Sequence, residues 1–420
     1  MTPPASSTAP GELDLATAIA RDKTDPLAAL RDRFLVPDDV IYLDGNSLGP
    51  LPKGVLERTV SVLTEEWGQQ LIRSWNSSGW MSLSQHVGDR IGRLIGAPAG
   101  SVVTGDTLSI KLYQALAAAL KLRPDRRVIL SDNRNFPSDL YMAEGLIDTI
   151  GKGHELRTPA PEDVPGAITD DVAVVMLTQV DYRSGRMHDM DAITRAAHDA
   201  RAVMIWDLAH SAGAVPVDVT ASRAEFAVGC TYKYLNGGPG APAFIYARPD
   251  IVGMIEPALA GWMGHQEPFA MEPSYRPAMS IERLRVGTPP VVQLSMLDAA
   301  LDLWDDVDMS ALREASIRLS QTFIAGVEAR CPQLALVSPR DPRRRGSQVS
   351  FAFDHGYEAM QALIDRGVIG DFRAPNIMRF GFTPLYLDEE DVLAAVKTLS
   401  RVINDNLWDD PGYRVRQKVT

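Results

Sequence analysis

Residues 202–246 read AVMIWDLAHSAGAVPVDVTASRAEFAVGCTYKYLNGGPGAPAFIY. The stretch contains three short apolar runs, which end at Trp206, Val228 and Tyr246. Runs of this length are too short for buried helices and are typical of buried strands. Polar or glycine-rich segments follow the first two runs directly. A carboxylate, an imidazole and a lysine therefore come just after the predicted strand ends.

The sequence upstream repeats this pattern of short apolar runs separated by helical periodicity. Val128–Leu130 and Val172–Leu177 predict two more buried strands. Between the second of these and Ala202, apolar residues recur on one helical face from Met190 to Ala200, with Asp189 as a candidate N-cap. Strands that alternate with helices predict an α/β fold with a mostly parallel sheet flanked by helices.

The pattern changes after Trp304. Apolar residues alternate from Val349 to Phe353, as in a half-buried strand, and a helix with an acidic first turn is predicted from Glu389. We interpret this part as a smaller α+β domain. The predicted organisation is an N-terminal tail or arm over 1–40, a large domain over 41–304 and a small C-terminal domain over 305–420.

The composition narrows the class of protein. The 420 residues carry a formal charge of −12, which argues against a nucleic-acid partner because such proteins present a basic face. Two cysteines provide neither a disulfide framework nor a zinc-ligand spacing, and they suit a reducing cytoplasm. Neither a secretory signal nor a membrane-spanning run is predicted. The seven histidines offer no metal-ligand pattern, so no metal is expected.

Three polar segments are predicted to meet at one edge of the sheet, where ligands bind in open α/β folds. They are DLAHSAGA from Asp207, TYKYLNGGPGAP from Thr231 and NFPSD from Asn135. Each residue alone has a structural interpretation: the aspartates as caps, His210 as a structural histidine and Lys233 as a surface lysine. Their order and spacing together favour a site.

The strand-end Asp-x-Ala-His at Asp207, followed by the aromatic-Lys pair and its Gly-rich loop, resembles pyridoxal-5′-phosphate (PLP) enzymes of fold type I in the class V aminotransferase superfamily. Further segments are similar to the kynureninase family, in order from about residue 40 to 404. They are YLDGNSLGPLPK (42–53), LIRSWNSSGW (71–80), NFPSD (135–139), LTQVDYRSGRMHDM (177–190), CTYKYLNGGPGAPAF (230–244) and MRFGFTPLY (378–386).

The resemblance implies a large PLP-binding domain and a role for each matching residue. Lys233 would hold PLP covalently, and Asp207 with Asp139 would face the pyridine nitrogen, since a buried carboxylate keeps that nitrogen protonated. The remaining cofactor contacts that the resemblance implies are Leu108 (backbone N–H), Ser109, Phe136 (ring stacking), Thr178, His210 and Tyr232, with Trp262 and Thr288 from the second subunit of a homodimer.

The substrate side follows from the same resemblance. Arg379 would clamp the α-carboxylate, while Ser47 and Trp75 would contact the aryl end. The implied reaction is hydrolysis of L-kynurenine to anthranilate and L-alanine, with Tyr232 as a candidate proton relay to Cβ. The preference between kynurenine and 3-hydroxykynurenine stays open. Lys111 departs from the family pattern, in which bacterial relatives tend to carry an amide.

Another enzyme of the same superfamily is the alternative. A cysteine desulfurase needs a nucleophilic thiol on a mobile loop near the segment 378–386. Cys230 precedes the lysine loop on a predicted strand, and Cys331 lies beside Pro332 near a predicted helix end. Neither position suits a persulfide-forming cysteine, so the sequence favours the kynureninase family.

Overall fold

The structure is a computed structural model that describes residues 15–23 and 25–417. It contains two units, one formed by residues 51–182 and 186–305 and the other by residues up to 50, 183–185 and 306 onward. The first fourteen residues of the predicted tail lie outside the described residues, whereas the segment that follows contains the helices Leu15–Asp22 and Ala28–Arg31.

A seven-stranded sheet forms the centre of the larger unit. Its strands are β1 (Val102–Thr104), β2 (Val128–Leu130), β3 (Glu155–Arg157), β4 (Val172–Thr178), β5 (Val203–Asp207), β6 (Phe226–Gly229) and β7 (Phe244–Ala247). They lie in the order β1-β7-β6-β5-β4-β2-β3, and β7 is antiparallel to both of its neighbours. The predicted α/β class with a mostly parallel sheet is confirmed.

The strands form where the apolar runs are longest. All seven residues of β4 and all five of β5 are buried, because the neighbouring strands cover both edges and helices cover the faces. Met190–Asp199 connects these two strands, and the Asp189 side chain caps it by accepting a hydrogen bond from the Ala192 N–H at 2.9 Å. The helices of this unit are Lys53–Ser61, the π-helix Val62–Gln70, Ser74–Ser77, Leu83–Leu94, Leu108–Leu122, Pro137–Ile150, Val164–Ala167, Met190–Asp199, Pro249–Val252 and Val291–Leu301.

The second unit is built on a four-stranded antiparallel sheet. Its strands are β8 (Ala335–Leu336), β9 (Gln348–Ala352), β10 (Asp371–Arg373) and β11 (Ile377–Gly381), in the order β8-β9-β11-β10. Besides the two N-terminal helices, its helices are Met309–Arg330, Gly356–Ile364 and Glu389–Asn404. The last begins at a capping box, in which the Asp388 and Asp391 side chains each accept a hydrogen bond from the other residue's backbone N–H.

This second unit is called the C-terminal unit below, because most of its residues follow Asp305. Residues 41–50 belong to it, although the sequence assigned them to the large domain. Ile41–Tyr42 pairs in parallel with Val368–Ile369, and the Gly381 N–H donates to the Leu43 carbonyl at 2.7 Å. Backbone pairing of this kind depends on residues far apart in the chain, so a local pattern does not predict it. At the other end of the predicted large domain, the units divide between Asp305 and Asp306.

Candidate active site

Lys233 lies in the loop that follows β6. Its Nζ is 3.0 Å from His210 Nε2 and 5.9 Å from the centre of the Phe136 ring. Backbone contacts hold the loop: the Thr231 hydroxyl donates to the Pro242 carbonyl at 2.7 Å, and the Gly237 N–H donates to the Thr231 carbonyl at 2.9 Å. The amine is thus brought to the strand-end edge of the sheet, beside an imidazole and an aromatic ring.

Two buried carboxyl groups lie at this same edge. Asp207 is the last residue of β5, and Asp139 is in the first turn of Pro137–Ile150. Their side chains are hydrogen-bonded to each other, and Thr178 Oγ1 at the end of β4 lies 3.3 Å from Asp207 Oδ2 and 3.4 Å from Asp139 Oδ2. The Ala209 N–H donates to Asp207 Oδ1 at 2.7 Å and orients that carboxylate.

The electrostatics of this pair follow from burial. Burial, followed by repulsion from Asp207, raises the pKa of Asp139 well above its usual value. Burial also raises the pKa of Asp207, although the charge of Lys233 opposes the shift. Two carboxylates in contact and out of water do not both stay ionised unless a cation compensates them. A protonated ring nitrogen would supply that cation, so the pair fits the pyridine nitrogen of PLP.

Asn135 is a residue of this site to which the sequence assigned no role. Its amide donates to Ser131 Oγ at 3.0 Å, and its Oδ1 accepts hydrogen bonds from the Phe136 N–H at 2.7 Å and from the Thr178 hydroxyl. One side chain therefore fixes both the loop that carries Phe136 and the hydroxyl that contacts the carboxyl pair. Its position within the NFPSD motif was the available signal.

Cys230 and Tyr232 both precede Lys233 in the chain. The two side chains are hydrogen-bonded to each other. The neighbouring Cys230 thiol, followed by burial, raises the pKa of Tyr232, and burial raises the pKa of Cys230. The phenol therefore stays protonated at neutral pH and is a proton donor, whereas the thiol is a buried, protonated group rather than a reactive thiolate.

The predicted phosphate segment begins the helix Leu108–Leu122. Leu108 and Ser109 form its first turn, after an extended residue at Thr107, so their N–H groups lie at the positive end of the helix. Lys111 is fully buried: its ammonium donates to the Leu284 carbonyl at 2.8 Å and lies 3.1 Å from Asp106 Oδ2. Burial lowers the pKa of the Lys111 ammonium, and the neighbouring Asp106 opposes this shift.

Three further predicted residues of this unit are Trp75, Trp262 and Thr288. Trp75 packs edge-on against Trp80 at 5.6 Å, and Trp262 packs on Phe269 at 5.7 Å. Trp262 and Thr288 are exposed. Within the part of the chain that the structure describes, no hydrogen bond or ring contact joins these residues to Lys233.

Arg379 belongs to the C-terminal unit, where it lies on β11 directly opposite Asp371 on β10. Its Nε donates to Asp371 Oδ1 at 2.5 Å, and its Nη2 donates to Asp371 Oδ2 and, at 3.1 Å, to Ser47 Oγ. The Ser47 hydroxyl donates to Asp371 Oδ2 at 2.7 Å. Ser47, assigned from the sequence to the aryl end of the substrate, therefore contacts both Arg379 and Asp371.

A second carboxyl group, that of Asp44, lies near Asp371 and Arg379. Burial, followed by repulsion from Asp371, raises the pKa of Asp44 to about 7. Burial alone would raise the pKa of Asp371 as well, but the hydrogen bond and charge of Arg379 lower it below its usual value. Asp371 is therefore ionised at neutral pH, whereas the pKa of Asp44 lies close to neutral pH.

A strand-end lysine beside a histidine, with a buried carboxylate pair on the neighbouring strand and helix, defines a PLP-dependent enzyme of fold type I. Solved structures share this fold. A cysteine desulfurase from Thermococcus onnurineus NA1 matches with a TM-score of 0.77 at 20% identity, over 90% of this chain and 98% of that one. A C-DES variant with glycine covalently linked to PLP gives 0.78 at 17% identity, over 88% and 98%.

Sequence relatives identify the family. The kynureninase of Pseudomonas fluorescens is 51% identical over 96% of this chain and 98% of its own length. That of Burkholderia pseudomallei strain 1106a is 50% identical over 96% and 99%. The model of the kynureninase C-terminal domain matches residues 312–399. The chain belongs to the kynureninase family and is a PLP-dependent hydrolase of carbon–carbon bonds in ketonic substrates, which confirms the predicted family, cofactor and enzyme class.

Proposed function

We propose that this enzyme hydrolyses L-kynurenine to anthranilate and L-alanine through the residues described above, with 3-hydroxy-L-kynurenine as a second candidate substrate. The observation that carries the assignment is the Lys233 amine, 3.0 Å from His210 at the edge of the sheet that also holds the Asp139–Asp207 pair. Family membership supplies the reaction class, and these side chains supply the groups that the reaction needs.

When bound, PLP supplies an electron-withdrawing ring that stabilises negative charge at the substrate carbons next to its amine. Lys233 would hold the cofactor, and its amine would take the proton from the substrate Cα. Asp207 and Asp139 would keep the ring nitrogen protonated, and Phe136 would stack on the ring. Tyr232 would donate the proton to Cβ as the Cβ–Cγ bond breaks, because a phenol is protonated at neutral pH.

The phosphate and the substrate carboxylate are bound by separate groups in this proposal. The Leu108 N–H and Ser109 at the helix N-terminus bind the phosphate, together with the Tyr232 hydroxyl. Thr178 and His210 line the cofactor. Arg379 binds the α-carboxylate by charge-assisted N–H donation in the plane of its guanidinium, a directional geometry that lysine does not reproduce.

We also propose a cytoplasmic homodimer in which Trp262 and Thr288 reach the partner's phosphate. Both residues are exposed in the single chain. An exposed apolar stripe supports the dimer: Leu56, Val60, Leu63 and Trp67 recur at helical spacing and are 41–58% exposed. Within the described residues, no helix is long and apolar enough to cross a membrane.

Subunit mixing tests the contribution of Trp262 across the dimer. Lys233→Ala and Trp262→Ala homodimers should each be impaired. A mixed dimer of the two should regain activity, because one of its sites combines an intact Lys233 with an intact Trp262 from the other subunit. A mixture that stays as impaired as its parents would refute the contribution across the interface, and a monomer in sedimentation would refute the dimer.

The test of the function itself is incubation of the PLP-loaded enzyme with L-kynurenine while anthranilate fluorescence is followed. Equimolar anthranilate and L-alanine are expected without any keto-acid acceptor. Lys233→Ala should lose both the visible cofactor band and turnover, while Lys121→Ala, an exposed lysine paired with Glu256, is the matched control. Absence of anthranilate with the wild-type enzyme would refute the function. A Lys233→Ala enzyme that keeps its visible band and turns over normally would refute the role of the lysine.

A further inference from the structure

Arg379, the proposed partner of the substrate α-carboxylate, is itself paired with Asp371. Neither the sequence nor the family resemblance gave Asp371 a role. Asp371 and Arg379 are opposite each other on neighbouring antiparallel strands, and 1% and 2% of their surfaces are exposed. The carboxylate engages the guanidinium through both oxygens, on the Nε and Nη2 side. A bidentate pair between two adjacent strands fixes the plane of the guanidinium as well as its position.

Two further groups hold the Asp371 carboxylate in place. The Ser47 hydroxyl bridges the pair, since it donates to Asp371 Oδ2 at 2.7 Å and accepts from Arg379 Nη2 at 3.1 Å. Arg373, two residues along β10, brings its Nη2 to 2.9 Å from Asp371 Oδ2. Two guanidiniums, those of Arg373 and Arg379, thus face the Asp371 carboxylate.

We propose that Asp371 is a positioning residue, which holds the Arg379 guanidinium in the orientation that receives the substrate α-carboxylate. The inference rests on the proposed function, in which Arg379 binds that carboxylate. An arginine side chain has several rotatable bonds, and a bound carboxylate requires one orientation of its fork. Asp371 fixes that orientation before the substrate arrives, and preorganisation of this kind strengthens binding.

A purely structural ion pair would predict a different outcome. A pair that serves only to stabilise the fold would change the free energy of unfolding without a selective effect on substrate binding. A pair that positions Arg379 changes KM more than kcat, and it acts only while Arg379 is present. The two roles are therefore separated by the division of the effect between KM and kcat and by a double-mutant cycle.

The test compares Asp371→Asn, Arg379→Gln and the double variant with the wild-type enzyme, all PLP-loaded. Asp371→Asn should raise KM for L-kynurenine about tenfold, or ~1.4 kcal/mol, and change kcat less than about threefold. In the Arg379→Gln background the same change should have almost no effect. Glu389→Gln is the matched control, because Glu389 is a buried carboxylate of the same unit that is paired with Arg21 and Arg318.

A ligand that lacks the α-carboxylate separates the contribution of Arg379 from the other binding contacts. The amine obtained by decarboxylating kynurenine should inhibit the wild-type enzyme and Asp371→Asn equally, since it makes no use of Arg379. If Asp371→Asn does not fold, Ser47→Ala provides the second variant, because its hydroxyl bridges the pair; it should raise KM about threefold.

The experiments separate a failure of the positioning role of Asp371 from a failure of the proposed activity. An unchanged KM in Asp371→Asn or, where that variant does not fold, in Ser47→Ala would overturn the inference while leaving the function intact. An equal effect of Asp371→Asn with and without Arg379 would also overturn it, as would weakened binding of the decarboxylated amine. A wild-type enzyme that releases no anthranilate refutes the function instead.

Discussion

Replacement of Asp44 by asparagine should stabilise the enzyme, and more so as the pH rises. Asp44 lies in the turn after Ile41–Tyr42, and its Oδ1 is buried without a hydrogen-bond partner. Burial and repulsion from Asp371 raise its pKa from 3.8 to about 7. Asparagine has the same shape and carries no charge, so it removes this cost.

The magnitude follows from proton linkage. A pKa raised by about three units corresponds to ~4 kcal/mol of differential stability, at 1.36 kcal/mol per unit. Because the folded state binds the proton more tightly than the unfolded chain, the stability from this group is fully present below about pH 4. It is lost as the pH rises through about 7. The advantage of Asp44→Asn should therefore grow by about 2–3 kcal/mol between pH 5 and pH 8.

The assay is chemical denaturation of the PLP-loaded wild type and Asp44→Asn from pH 5 to pH 8, with the exposed Asp409→Asn as control. The charged and titratable groups around Asp44 are Asp371, Arg379, Arg373 and Tyr42. An ionised Asp44 opposes a carboxylate bound at Arg379, so the variant should also flatten any rise of KM above pH 7. A stability difference that is the same at every pH would refute the reasoning.

Three other predictions address the carboxyl pair, the thiols and one glycine. Asp207→Asn should retain PLP but lose about 100-fold or more in turnover, because a neutral partner no longer holds the ring nitrogen protonated; an unchanged rate would exclude that role. The double variant Cys230→Ser, Cys331→Ser should keep anthranilate formation per PLP-loaded molecule, whereas sulfide release from L-cysteine that vanishes in the variant would indicate a desulfurase. Gly381→Ala should destabilise by about 1–3 kcal/mol, since its Cβ would lie 2.2 Å from Asn46 Oδ1, and denaturation curves that match wild type would contradict this contact.

The sequence predicted the centre of the large sheet better than its edges. Val128–Leu130 was predicted with its observed bounds, because a buried strand between two neighbours is apolar throughout. The edge strands β1 and β3 were missed. Glu155–Arg157 carries charge at both ends and is only half-buried, so no apolar pattern marks it. An edge strand is defined by its pairing with a neighbour, which a local pattern does not contain.

Side-chain contacts in the site that depend on strand pairing were likewise not predictable from a local sequence pattern. Asp207, His210 and Lys233 were assigned together because carboxyl ends of parallel strands converge at one edge, a rule that needs no register. Asp371 was missed because its contact with Arg379 depends on the register between β10 and β11. One signal was available in the sequence. Asp371 and Arg379 lie four residues before and four residues after Pro375, and a hairpin centred on Pro375 places them opposite each other.

The two buried clusters of charged residues, one at the sheet edge and one around Arg379, differ in the balance of their charges. At the sheet edge, Asp139 and Asp207 are buried together, and the raised pKa of both carboxyls indicates that the charge of Lys233 does not fully compensate them. In the C-terminal unit the imbalance is reversed, because two guanidiniums contact the ionised Asp371 carboxylate while burial raises the pKa of the neighbouring Asp44 to about 7 and so reduces its negative charge. A buried cluster short of positive charge suits a cationic ligand atom, and one with excess positive charge suits an anion. A protonated ring nitrogen and a substrate carboxylate have those charges, so each cluster carries an imbalance of charge that its own ligand would neutralise.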